Sequence, residues 1–413
     1  MNHTVSRKGI VCELSVHLSG EETNTLSVRN ADPEQMRASA QKSFVPGILE
    51  REHLVPVSPL TMSEELPEAG KPYDFVVRFE TLPDIPLPER LDALSIDVPA
   101  PDMDGRSARR MAEDLRHSLA RRSEVRERRR PVFGEIAVID MNGSCGSCPA
   151  PGFQTRKKTV LLRQGGPLLP DIQNAIMEMF PGEVRTVTLV CPEDYPYVGM
   201  RGSMLSIELH LQAIFRETLP DIDAAFAAEL GFDSVKALEI SIMAKSMSNE
   251  LAAIQKDGER RLLKKVLEGL DFEIPSYPER RFFEEFLQNA RQALKRARCS
   301  DAQIEEQLRA MEDDMHRNAR EQARSHVFLL ALAEREHIRV SEQDMQSEIE
   351  RMARNMKSDP AAVRERLDGS GLADDVRERI LAAKALTYLY NKAHKVVVDE
   401  SGNVVPPPVP HSA

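Results

Sequence analysis

Glu217-Thr-Leu-Pro-Asp-Ile-Asp-Ala-Ala-Phe-Ala-Ala-Glu-Leu-Gly-Phe232 divides the chain into two kinds of protein. Upstream, short alternating runs and turns surround one long charged helical pattern. Downstream, almost everything carries the 3.6-residue period of amphipathic helix. Leu219-Pro220 ends a strand-like run whose last aromatic is Phe215. Asp221 and Asp223 suit an N-cap, Ala224 to Leu230 reads as a short helix, and Gly231 can end it.

The bounds agree with a multidomain chain. Its 413 residues allow two to four domains, and 29% of them are charged while 5% are aromatic, with no Trp. Many Ala, Arg, Glu, Leu and Met favour helices with broad, soft surfaces. A net charge of −11 argues against a general nucleic-acid binder, so no direct DNA binding is expected. No apolar run reaches the roughly 18 residues of a membrane helix, Val327 to Ala333 being the longest candidate. With no secretory signal visible and five cysteines in no disulfide framework, a cytoplasmic protein without membrane contact is expected.

Outward from the junction, Ile136–Met141, Thr159–Leu162, Val184–Val190 and Leu205–Leu211 read as strands, and Asp171–Met179 as a short helix closed by Pro181-Gly182. Together they predict a small α+β unit. Before it, Asp102 or Asp104 caps a helix running to about Arg130, with Met111, Leu115 and Leu119 as its apolar stripe and Pro131 as its stop. Leu82-Pro-Asp-Ile-Pro-Leu-Pro88 must be extended linker. Tyr73–Phe79 and Ile10–Leu18 alternate as strands, the latter with Cys12, Leu14 and Val16 on one face, whereas Glu21–Gln41 is hydrophilic and reads as partly mobile. Past Ser234, successive stripes include Phe282, Phe283, Phe286 and Leu287, then Ile304, Leu308, Met311 and Met315 on a helix of about eight turns. Met345, Ile349, Met352 and Met356 form a Met-rich face; residues 399–413, with Pro406-Pro-Pro408, read as disordered.

Motifs for chemistry are sparse. Cys145-Gly-Ser-Cys148 is a C-x-x-C, but Gly143, Pro149, Pro151 and Gly152 put it in a loop, where an incidental pair competes with metal or redox chemistry. Glu334-Arg-Glu-His337 holds one E-x-x-H where a di-iron bundle needs two. Gln164-Gly-Gly-Pro167 lacks the Lys and spacing of a phosphate loop. No cofactor and no metal are expected. The Phe and Met faces between 282 and 356 are wider than a few helices need to cover one another, which suggests binding of varied apolar chains.

Phe75-Val-Val-Arg-Phe-Glu-Thr-Leu-Pro-Asp-Ile-Pro-Leu87, Glu217-Thr-Leu-Pro-Asp-Ile-Asp-Ala-Ala-Phe226 and Cys191-Pro-Glu-Asp-Tyr195, with the order of parts, resemble the bacterial trigger factor family over about residues 40–398. The resemblance implies an α+β multidomain protein. Residues 1–88 would be a truncated α/β ribosome-docking domain, 89–131 a linker and arm helix, 132–216 an FKBP-type prolyl isomerase module, and 217–398 an elongated helical chaperone domain. It implies unfolded or nascent polypeptides as partners. The family's G-F-R-x-G-K-x-P docking loop has no counterpart here, as if strand 10–18 ran almost directly into the domain's last helix; ribosome contact and a homodimer are left open.

By position, the resemblance puts Phe153, Leu168, Leu169 and Tyr195 in the isomerase pocket. Met141, Thr159, Ile172 and Leu205 stand where the family has aromatic rings, and Gln154 replaces its acidic residue. Such a pocket twists and desolvates the prolyl amide against a barrier of ~18–20 kcal/mol. With an aliphatic floor, slow isomerisation is expected. The client-binding residues implied are Phe282, Phe283, Phe286, Met311, Met315, Met345, Met352 and Met356. An active isomerase whose helices only deliver substrate, and an adaptor for one dedicated partner, are the alternatives.

Overall fold

A computed structural model describes residues 2–29, 32–102, 104–146, 148–166, 168–191, 202–296, 299–370, 372–399 and 401–405. Strands β1 (Asn2–Lys8) and β2 (Val11–Leu18) form a hairpin that turns at Gly9, whose φ of 61° favours a residue without a Cβ. The alternation read from the sequence is real: Cys12, Leu14, Val16 and Leu18 are buried. The hydrophilic stretch after β2 is not loose chain, however. It forms α1 (Gly20–Arg29) and α2 (Pro33–Arg51), so β2 does not run directly into the domain's last helix. Leu26, Met36 and Ala40 are too sparse to print a stripe, yet all three are buried on the sheet. Strands β3 (Thr61–Met62) and β4 (Tyr73–Glu80) complete it in the order β1-β2-β4-β3, with Val16 opposite Phe75.

The proline-bounded crossing carries no strand or helix until a single 3₁₀ turn at Leu91–Ala93. Next come β5 (Ser95–Pro99) and α3 (Arg106–Ser118). The charged helix thus ends well before Arg130. The chain instead turns into β6 (Arg121–Glu124), which pairs antiparallel with residues 215–218. The stop is imposed from a distance: the buried Glu217 carboxylate hydrogen-bonds both His117 and Arg122, and a continuing helix would carry Arg122 away from it.

Strands β7 (Glu135–Cys145) and β8 (Cys148–Leu161), helix α4 (Pro170–Met177), and strands β9 (Val184–Val190) and β10 (Met204–Thr218) build the second α+β unit. Its sheet runs β6-β10-β7-β8, with β9 also on β10. Ala137 and Ile139 of β7, Leu205, Ile207 and Leu209 of β10, and Ile176 of α4 share one core.

Asp223 then caps α5 (Ala224–Glu229), its carboxylate accepting from the Phe226 amide at 2.9 Å. The helical body follows: α6 (Val235–Glu268), α7 (Ser276–Arg296), α8 (Asp301–Arg335), α9 (Glu342–Met356), α10 (Pro360–Ser370) and α11 (Ala373–Lys392). At 35 residues α8 has about ten turns, longer than the periodicity alone indicates. Strand β11 (His394–Val398) pairs parallel with β5, tying the end of the body to the segment before α3. Of the tail read as disordered, Asp399 and residues 401–405 fold back on β11, the Val405 amide donating to the Val397 carbonyl at 2.8 Å; residues 400 and 406–413 lie outside the described residues. Among the described residues, no helix is long and apolar enough to cross a membrane.

Candidate functional site

Two places bring candidate residues together. In the second α+β unit, Met141 of β7, Phe153 of β8, Ile172 of α4 and Leu205 of β10 are buried in one cluster, with half-buried Leu168 and Leu169 packed against it. Pro170 at the first position of α4 fixes the turn that brings Ile172 in. Tyr195 lies outside the described residues. Thr159 does not join this cluster: β8 register sets it opposite Val138, and it lines a small crevice with Asp114 and His117 instead. Adjacent residues on a strand face opposite sides, so burial of Val160 sends Thr159 outward.

Gly143 sits so close to Phe153 that a Cβ there would lie 2.5 Å from the Phe153 Cβ. The Gln154 amide Nε2 donates to the Gly143 carbonyl, so Gln154 is engaged in holding the hairpin. Cys145 is half-buried against the same core and stands opposite Cys148 in register; the Cys148 side chain lies outside the described residues. Cys299, beyond the end of α7, reaches the Pro149 carbonyl at 3.9 Å. Nothing in the spacing of the sequence announced that contact.

The second place is a cleft of about 1170 Å³ between α6, α7, α8 and α11. Leu263, Leu267, Phe282, Phe286, Leu329 and Leu386 give it an apolar lining, while Lys256, Arg260, Glu285, Glu321 and Arg379 supply charge around it. Of the eight residues expected to meet clients, Phe282 and Phe286 line this cleft. Phe283 instead stacks on His316, with centroids 4.0 Å apart. Met311 and Met315 pack in the α7–α8 seam, and Met345 and Met352 pack where α9, α10 and α11 meet. Met315 and Met345 are buried, so they hold the body together and present nothing to a client; Met356 is 50% exposed. The stripes were real, but a stripe does not say whether its own chain covers it. The α6 and α11 leucines were missed, although Leu263 and Leu267 stand at helical spacing.

Behind the cleft, Arg281 of α7 pairs with Asp375 and Glu378 of α11 at 3.0 and 3.1 Å. Buried His326 of α8 lies 3.5 Å from the same Glu378 oxygen and stands edge-on to Phe282. Burial pushes the Glu378 carboxyl up, but the His326 hydrogen bond and the Arg281 charge outweigh it and leave the carboxyl below its ordinary range. Three helices are thereby held at one polar node, which fixes the back wall of the cleft. Exposed apolar side chains continue along α6 at Ile240, Met243 and Leu251.

Residues 234–391 match the family model of the bacterial trigger factor C-terminus. The trigger factor of Lawsonia intracellularis is 23% identical over 363 residues, covering 87% of this chain and 84% of its own. That of Anaeromyxobacter sp. strain Fw109-5 is 25% identical over 371 residues, covering 88% and 85%. A solved structure of the trigger factor chaperone, described for promiscuous substrate recognition in folding and assembly, covers 95% of this chain and 99% of its own at 17% identity and a TM-score of 0.39. The chain is thus similar to bacterial trigger factors along most of both lengths, and residues 234–391 match the C-terminal part of that family.

Proposed function

We propose that the protein is an ATP-independent chaperone that binds unfolded or nascent polypeptides and assists their folding in the cytoplasm. The observation that carries this is the cleft between α6, α7, α8 and α11, whose apolar lining and charged surroundings suit many weak contacts with extended chain. Release follows from low affinity and from the client's own folding. On this reading residues 1–88, 89–131, 132–216 and 217–398 are the N-terminal, arm, isomerase-like and chaperone units. The test is aggregation of a chemically denatured client: the protein should slow it at stoichiometric amounts, and an unchanged rate would sink the reading.

Cosedimentation with ribosomes at low and moderate salt separates a nascent-chain role from a free one. Retention at moderate salt would assign the dock to residues 1–60 or to α3. For the isomerase-like unit, Met141, Phe153, Ile172 and Leu205 are core, and half-buried Leu168 and Leu169 at its edge are what supports an apolar prolyl site with slow turnover. Proline-limited refolding, which takes tens to hundreds of seconds uncatalysed, is the readout. Tyr195→Phe should reduce any acceleration and leave aggregation suppression intact.

A further inference from the structure

A second groove, of about 850 Å³, runs between α9 and α11. It is continuous in its lining with the larger cleft, because Arg379 and Ala383 border both. Its chemistry differs. Asp344, Glu348, Arg351 and Arg354 line its α9 wall, and Arg379 and Lys384 its α11 wall. Both acids are already satisfied. Lys384 donates to Asp344 at 2.6 Å, alongside the Ser341 hydroxyl and amide, and Arg351 grips both Glu348 oxygens as a fork. Both Arg354 and Arg379 are exposed and neither has an ion pair within 4 Å among the described residues, although the Arg379 charge still acts on Glu348, which Arg351 holds more closely. A chain of net charge −11 therefore keeps four cations against two acids in a groove that opens beside its apolar cleft.

We propose that this groove is an acidic-segment subsite of the cradle: a polypeptide whose apolar residues occupy the four-helix cleft places neighbouring Asp or Glu carboxylates on Arg354 and Arg379. The inference rests on the reading of that cleft as the client site and names the class of client it prefers. Planar guanidinium groups suit carboxylates because they can donate two parallel hydrogen bonds. The Asp344–Lys384 and Glu348–Arg351 pairs engage both acids most closely with other partners, which leaves Arg354 without one among the described residues. Asp344 stays ionised across the useful pH range, its pKa being lowered to about 2 chiefly by the Lys384 hydrogen bond.

The experiment uses the full chain and fluorescent peptides sharing one apolar stretch, followed by Asp-Glu, Asn-Gln or Lys-Lys. Anisotropy at low salt should give about tenfold tighter binding for the acidic peptide than for its amide counterpart. The advantage should shrink at high salt. Arg354→Gln alone should reduce it while leaving the Asn-Gln peptide unchanged, Arg354→Gln with Arg379→Gln should erase it, and Arg354→Glu with Arg379→Glu should favour Lys-Lys. Equal binding of the acidic and amide peptides by the unaltered protein, or a preference that survives the double Gln variant, overturns the subsite alone. If no peptide of the three binds, the cleft is not the client site and both readings fall together.

Discussion

A Cβ added at Gly258, in the interior of α6, would lie 2.6 Å from Cε2 of Tyr390 on α11. The two helices approach this closely because one side of the contact has no side chain, and the buried Tyr390 ring fills the space. Glycine in a helix interior costs about 1 kcal/mol relative to alanine, so Gly258→Ala gains that much locally. Overpacking a buried contact costs ~1–3 kcal/mol, and here the obstacle is a ring held in the core. The expected net result is destabilisation of about 1 kcal/mol in urea unfolding. Combining it with Tyr390→Leu should recover part of the loss. A stabilised Gly258→Ala single variant would show that α6 and α11 do not meet as described.

The node at Arg281 makes a different prediction. Removing its guanidinium leaves the Glu378 carboxylate beside His326 with less compensation. Arg281→Ala should therefore cost about 2 kcal/mol, near the lower end for breaking a buried pair because Glu378 keeps some solvent access. Arg281→Lys should recover less than half, since one ammonium cannot replace both Nη1, which serves Asp375 and Glu378, and Nη2, which lies 3.4 Å from His326 Nε2. Thermal unfolding of the three proteins at neutral pH reads the order directly.

Phe286 and Met315 look equivalent on a helical wheel and should behave in opposite ways. Phe286 is half-buried and lines the cleft, so Phe286→Ala should weaken aggregation suppression several-fold with a modest stability loss. Met315 is buried in the α7–α8 seam, so Met315→Ala should cost ~2–5 kcal/mol and leave suppression per folded molecule unchanged. Light scattering and urea unfolding on both variants separate the roles.

That pair also marks the limit of what the sequence displays. Helix period, caps and turn residues are local, and where they governed the outcome the reading was close: β9 spans Val184–Val190 as read, and Asp223 caps α5. The misses are tertiary. Helix α3 stops early because a carboxylate about a hundred positions away claims His117 and Arg122. Helices α1 and α2 form on sparse buried contacts, Leu26, Met36 and Ala40 among them, in a polar stretch. Whether a stripe is core or surface depends on which neighbour lies over it, so Met345 and Phe286 could not be told apart by pattern. The cleft leucines escaped for the converse reason: they sit on long helices whose ordinary role is packing.

Asp344 gives the pH test. It is the third residue of the α9 capping box and also the partner of Lys384 on α11, so one carboxylate joins a helix start to a neighbouring helix. Its folded pKa lies at about 2, below the ordinary 3.8, chiefly through the Lys384 hydrogen bond. A depressed folded value means the unfolded chain binds the proton first as acid is added. The stabilisation is therefore fully present above pH 3.8 and is lost as pH falls toward 2. Asp344→Asn should lower the unfolding temperature at neutral pH and flatten its fall across that acid window. If the variant and the parent lose stability in parallel between pH 3.8 and about pH 2, the Lys384 contact does not hold the helices together in solution.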